Sequence, residues 1–179
     1  LGAHHQNLAG ILAHGILSWT DAHARGLTAN DISDPSVQRW RNRPETVYNR
    51  SIHDYAPLYI NPKNAMLYVR QHIQHELVIL KVSPTVLQYH QHVWTDGNAA
   101  CHNTLFSKDR QVVDASETAL RALRWLGVPG GKRRRCAEVL VYPTVEARYI
   151  VSAICSNQNL ANAIRPICTK PIIIDAAAF

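Results

Sequence analysis

Leu77 to Val82 reads LVILKV, a run too apolar and too short for a surface helix, and it predicts a strand buried inside a sheet. A second run, Cys136 to Tyr142 (CAEVLVY), has the same character with one odd member: Glu138 stands beside Val139, Leu140 and Val141. A carboxylate in a buried strand is costly unless it is paired, sits at an exposed strand end, or carries a function. Two readings of Glu138 are therefore open, a strand-end partner for an arginine and a working group. Further strands are expected at Tyr149–Ile154 and Ile172–Ile174, with a less regular one over Val86–Val93.

Helical signals alternate with these strands. Residues 4–17 (HHQNLAGILAHGIL) read as a helix with Asn7 as cap, Leu8, Ile11 and Leu12 as the apolar stripe and Gly15 as the stop. His4 and His5 stand at its entry, suited either to a phosphate or ribose or to simple capping. Short helices are expected over Met66–His72 and Ala161–Ile164. Asp114–Leu126 (DASETALRALRWL) reads as the clearest helix, with Asp114 and Glu117 as a capping box and Leu120, Leu123 and Leu126 on its buried face. Residues 18–36 read as polar loop.

The 179 residues suit one compact domain over 1–179, and 46% apolar content supplies its core. The net charge of +6 favours an anionic partner. Four cysteines without a CxxC spacing read as free thiols of a reducing compartment, here the cytoplasm. No apolar stretch reaches the roughly 18 residues of a membrane span, and no signal peptide is visible. His72-x-x-His75 and His90-x-His92 lack the companions of a zinc site, so no metal is expected. No Walker A, GxGxxG or GxSxG sequence occurs. Cys101 and His102 are adjacent, which does not let them face each other.

The remaining chemistry-bearing residues fall into groups. Arg39, Arg41 and Arg43 alternate, so on a strand they would share a face; such arginines suit pyrophosphate, or else a solvated basic loop. Ile52–Tyr68 (IHDYAPLYINPKNAMLY) gathers Tyr55, Tyr59 and Tyr68 beside a turn, as core residues or as faces for a flat ring. Trp94–Asp109 reads as an ordered loop free to bind something, and Lys132–Arg135 as a basic run before the Glu138 strand. Together the set fits glycosyl transfer from a dinucleotide: a carboxylate bonding the ribose strengthens its hold as the sugar becomes oxocarbenium-like.

These stretches carry a resemblance. HDYAPLYINPKNAMLY is similar to the HDYVPFYFxPRSPMLY stretch of DarT, the DNA ADP-ribosyltransferase toxins. His4 to Leu8 with Gly15-Ile16-Leu17 resembles that family's HxxNLxxILxxGL, Trp94 to Ala99 its TDGNA loop, and KRRRCAEVLV its basic segment leading into AEFLV. The blocks occur in family order along nearly the whole chain. Three departures stand out: Lys63-Asn64-Ala65 replaces Arg-Ser-Pro, the end is DAAAF rather than aromatic, and the strand before the opening histidine is almost absent.

The resemblance implies an α+β ADP-ribosyltransferase fold, a split mixed β core with surrounding helices. It implies NAD as ADP-ribose donor, no metal, and a base of single-stranded DNA, usually thymine, as acceptor. It implies a toxin whose partner is a macrodomain antitoxin of the DarG kind. Glu138 matches the catalytic glutamate, and Arg41 is the choice for the catalytic arginine, with Arg39 and Arg43 as rivals. His4, Asn7, Leu8, Tyr59, Met66 and Tyr68 would form the NAD site, with His4 on the adenosine ribose and Tyr59 on nicotinamide. Thr95, Asn98, Arg121, Arg124, Lys132, Arg133, Arg134 and Arg135 would meet the DNA. The alternatives are transfer to RNA or protein, or a nucleic-acid-binding domain that has lost catalysis; the retained Glu138 speaks against the last.

Overall fold

Ten short strands and seven short helices build the chain, described over residues 1–179 by a computed structural model. The strands are β1 (Gly2–His4), β2 (Ile16–Leu17), β3 (Ala56–Tyr59), β4 (Leu77–Val82), β5 (Gln91–Thr95), β6 (Phe106–Ser107), β7 (Glu138–Tyr142), β8 (Thr144–Val145), β9 (Ile150–Cys155) and β10 (Ile172–Ile174). The helices are α1 (Leu8–His14), α2 (Trp19–Ala24), α3 (Pro35–Arg41), α4 (Ala65–Val69), α5 (Glu117–Arg121), α6 (Gly131–Arg134) and α7 (Gln158–Ile164).

The β core is split into two four-stranded sheets, ordered β1-β4-β9-β10 and β3-β7-β5-β6, joined by the small β2-β8 pair. The first sheet is mixed, because β9 and β10 run parallel while its other pairs are antiparallel. The LVILKV run is central in it, and its first four residues are fully buried, as a strand covered on both faces should be. Val78, Leu80, Val139, Val141, Ile150 and Ala153 meet in the main core between the sheets. The stripe of α1 packs there too: Leu8 is 1% exposed, and Ile11 and Leu12 lie against it. Gly15 ends α1 at φ 86°, where a Cβ would lie 2.5 Å from the Val145 carbonyl of β8. The strand before the opening histidine is present as three residues, Gly2 to His4, paired with β4.

Several local expectations are corrected. Asn7 does not cap α1; its side chain holds Ala29 and Asn30 instead, and the His4 imidazole caps the preceding 3-10 turn. The polar stretch 18–36 contains α2, started by the Ser18 hydroxyl accepting from the Asp21 N–H. The arginine segment is helical: Asp34 caps α3 with Pro35 at its first position, so Arg39, Arg41 and Arg43 do not share a face. The expected helix over Asp114–Leu126 shrinks to a 3-10 turn, Arg110–Ser116, and the five residues of α5. It stops because the Arg135 guanidinium takes the carbonyls of Ala119, Leu120 and Ala122, so that the chain leaves at Ala122 in extended conformation. Leu123 and Leu126 are consequently 89% and 82% exposed rather than buried.

Candidate active site

The site forms where β3 and β7 pair. Their register sets Tyr59 opposite Glu138 at the start of β7. Glu138 is fully buried, and both carboxylate oxygens are taken by one arginine: Arg41 Nη1 donates to Oε1 at 3.0 Å and Nη2 to Oε2 at 3.2 Å. Oε1 also accepts from the Ala99 N–H at 2.9 Å. A parallel, two-point fork of this kind is the geometry in which guanidinium holds carboxylate most firmly. Burial, the largest influence on Arg41, opposes its charge, but the Glu138 carboxylate outweighs it and holds the guanidinium above its ordinary value. Burial and then the Glu138 charge push the Tyr59 phenol well up, so this ring is neutral.

Arg41 reaches Glu138 because α3 is a helix. Val37, Gln38 and Arg41 fall on one face of it and line a cavity of about 440 Å³. Tyr59 and Met66 line the same cavity, as do Asn7, Trp19, Asn98 and Lys132. Glu138 is not among the lining residues; the Arg41 side chain stands between its carboxylate and the open space. Beyond the helix, Arg43 Nη2 donates to the carbonyls of Ala99 and Cys101. Arg39 is exposed. The three rival arginines thus have three positions, and Arg41 alone grips Glu138.

The loop after β5 completes the enclosure. Thr95 is buried, accepting from the Glu138 N–H and donating to the Gly97 carbonyl. Asp96 accepts from both terminal nitrogens of Arg133, at 2.7 and 2.9 Å, and from the Leu105 N–H. Burial, the largest influence, favours the neutral acid, yet Arg133 and the Leu105 N–H hold the Asp96 carboxyl below its ordinary value. Gly97 leaves room for that pair, since a Cβ there would meet Arg133 Nη1 at 2.5 Å and displace the guanidinium. The Thr104 hydroxyl, bonded to the Asn98 carbonyl, and Asn98 N–H, bonded to the Arg133 carbonyl, brace the loop further. This clamp is what fixes the Ala99 N–H on Glu138.

A profile of the family described as "ssDNA thymidine ADP-ribosyltransferase, DarT" matches residues 3–174. The chain belongs to the DarT family. A relative from Thermosipho africanus (strain H17ap60334), described as a DNA ADP-ribosyl transferase–DNA ADP-ribosyl glycohydrolase fusion protein, is 28% identical over 184 residues. The match covers 98% of this chain and 47% of that protein, so the chain spans about half the length of this DarT relative. The solved Thermosipho africanus DarTG in complex with ADP-ribose superposes with a TM-score of 0.88 at 27% identity, over 99% of this chain and 50% of that one. The DarT of Thermus sp. 2.9, solved in complex with ADP-ribosylated ssDNA, gives a TM-score of 0.88 at 20% identity over 100% of this chain and 94% of that one. The α+β ADP-ribosyltransferase fold expected from the resemblance is the fold of these DarT structures.

Within this DarT site the residues expected from sequence separate into two sets. Arg41, Asn7, Tyr59, Met66, Asn98 and Lys132 line the cavity, with Glu138 directly behind Arg41. His4, Leu8 and Tyr68 do not line it. His4 is buried beside Glu76, with Nε2 3.3 Å from the carboxylate; Leu8 belongs to the core; Tyr68 is 57% exposed and packs edge-on against Trp125. Tyr55 borders the cavity but is a core residue, with its hydroxyl bonded to the buried Glu45.

The DNA-facing set is corrected in three places. Thr95 is 0% exposed. Arg133 is spent on Asp96, and Arg135 is buried with its donors on backbone carbonyls, so the basic run is partly internal structure and not a solvated loop. Lys132 and Arg124 remain exposed; Arg134 is half-buried, and Arg121 is exposed but paired with Glu117 at 2.8 Å.

Three contributors escaped the sequence reading: the Ala99 N–H, the Asp96–Arg133 pair, and Glu45. The Glu45 carboxylate accepts from the N–H groups of Val47, Tyr48 and Arg50, folding the turn that leads from α3 to β3. A glutamate followed within five residues by a turn offers a weak signal of such a nest.

Proposed function

We propose that this chain is a single domain that transfers ADP-ribose from NAD to a thymine of single-stranded DNA. It acts in the cytoplasm as the toxin of a toxin–antitoxin pair, with a DarG-like macrodomain as its antitoxin. Membership of the DarT family supports the activity, and the glycohydrolase portion named in the Thermosipho africanus fusion supports the partner. No helix is long and apolar enough to cross a membrane. The observation that carries the reading is the Arg41–Glu138 fork at the wall of a cavity that Tyr59 also lines.

The roles follow from position. Arg41 is the cationic group that the pyrophosphate of NAD meets in the cavity, and engaging it loosens its fork on Glu138. A freed Glu138 oxygen then bonds the ribose beside nicotinamide, an interaction that strengthens as the sugar becomes oxocarbenium-like. The bond from C1′ to the nicotinamide nitrogen breaks, and its electron pair leaves with neutral nicotinamide. A nitrogen of the base bonds C1′ and gives its proton to the Glu138 carboxylate. Tyr59, held neutral, offers its ring to nicotinamide, with Met66 beside it. The Ala99 N–H keeps the carboxylate on station throughout.

The test is mass analysis after incubation with NAD and a panel of single-stranded DNA, RNA and protein. A gain of one ADP-ribose on DNA is expected. Label confined to RNA or protein, or binding without transfer, would overturn the reading.

A further inference from the structure

Trp40 directly precedes Arg41 and is 54% exposed, although a ring of its size gains most from burial. It meets the exposed His102 edge to face, with centroids 4.7 Å apart and planes at 79°. Trp40 lies in the last turn of α3, the helix whose final residue, Arg41, grips Glu138 from one side. His102 lies three residues beyond Ala99, whose N–H holds the same carboxylate from the loop after β5. Arg43 ties the two segments together through the carbonyls of Ala99 and Cys101. The ring pair is therefore fixed relative to Glu138 by the contacts that fix Glu138 itself. Its neighbours in the chain, Arg41 and Asn98, line the cavity, while the rings face solvent.

We infer that Trp40, held edge to face by His102, is a stacking platform for the base next to the target nucleotide, which rests on the reading of single-stranded DNA as acceptor. An unstacked base is the flat, apolar partner that an exposed indole lacks, and a single strand offers one without the cost of melting a duplex. The exposed Arg39 beside Trp40 and Lys132 at the cavity supply cations for the connecting phosphates. An acidic protein surface would match these charges and leave the indole face without a partner. The platform would hold the strand so that the target base enters beside Glu138.

The experiment uses oligonucleotides with a single thymine, intact or with an abasic site at each flanking position in turn. Transfer kinetics are measured for the wild-type chain and for Trp40→Ala, Trp40→Phe and His102→Ala, with thermal unfolding as a check on folding. Trp40→Ala should raise the KM for the intact oligonucleotide roughly ten- to hundredfold, the effect of losing one base–aromatic stack, with a much smaller change in kcat. Trp40→Phe should recover most of it, and His102→Ala should lose less than Trp40→Ala. An abasic site at one flanking position should weaken the wild-type chain comparably and cost Trp40→Ala nothing more. A Trp40→Ala chain with wild-type KM would overturn the platform alone, as would losses that multiply at every abasic position. A wild-type chain that labels no oligonucleotide would overturn the platform together with the acceptor on which it rests.

Discussion

Arg41 and Glu138, 97 residues apart in the chain, meet through two hydrogen bonds of 3.0 and 3.2 Å in the protein interior. Removing one member of such a pair leaves the other as an uncompensated buried charge. Glu138→Ala should therefore cost about 3–5 kcal/mol of stability as well as transfer. Glu138→Gln keeps the shape and the Ala99 contact, so it should unfold at a lower denaturant concentration than wild type but above the alanine variant, and still transfer nothing. A glutamine variant that labels DNA at the wild-type rate would sink the proposed role of the carboxylate.

Arg41→Lys retains the charge and loses the fork. Lysine offers a single point of attachment and cannot cover both oxygens at once. Transfer should fall on the order of a hundredfold, the loss typical of one misplaced electrostatic group. Arg39→Lys, at an exposed position outside the cavity lining, should differ from wild type far less. Parallel measurement of the two variants checks the assignment of the catalytic arginine.

Gly97→Ala probes the loop clamp. The added methyl would occupy the space of the Arg133 guanidinium, which must swing off Asp96. Overpacking of this kind costs roughly 1–3 kcal/mol. Hydrogen exchange at the Ala99 and Leu105 amides should quicken, and transfer should drop. Unchanged protection at Ala99 would show that the clamp does not position that N–H.

Leu123→Ser and Leu126→Ser should each change stability by no more than about 0.5 kcal/mol, as expected for surface substitutions. Both side chains are more than four-fifths exposed. Chemical denaturation distinguishes this from the buried helix face that the sequence suggests, where each change would cost several kcal/mol.

Alkaline pH should destabilise the fold through Cys136. Burial pushes its thiol from 9.0 up to about 11. A raised value means that the contribution to stability is fully present below pH 9.0 and drains away as the pH climbs toward about 11, because the unfolded chain ionises first. Cys136→Ala should flatten that part of the stability profile, read from unfolding midpoints across pH 8–11.

The strands LVILKV and CAEVLVY and the α1 stripe were legible in the sequence because side-chain period reports local burial. Glu138 stood out for the same reason, as a charge that no apolar strand tolerates without a partner. The partner was not legible. Which of Arg39, Arg41 and Arg43 it is depends on whether their segment is helical and on which of its positions the fold sets against Glu138, 97 residues beyond Arg41.

The run Leu120, Leu123, Leu126 has a helical period, yet the helix ends at Arg121, where Arg135 folds back from 13 to 16 residues further on and captures the carbonyls of Ala119, Leu120 and Ala122. Arg133 and Arg135 read as solvent-facing charges for want of any local sign of Asp96 or of those carbonyls. By itself the sequence determined where apolar surface must be buried and which carboxylate needed an explanation. Only the tertiary structure decided what each charged group faces, since ion pairs and carbonyl captures join residues far apart in the chain and leave no periodic trace along it.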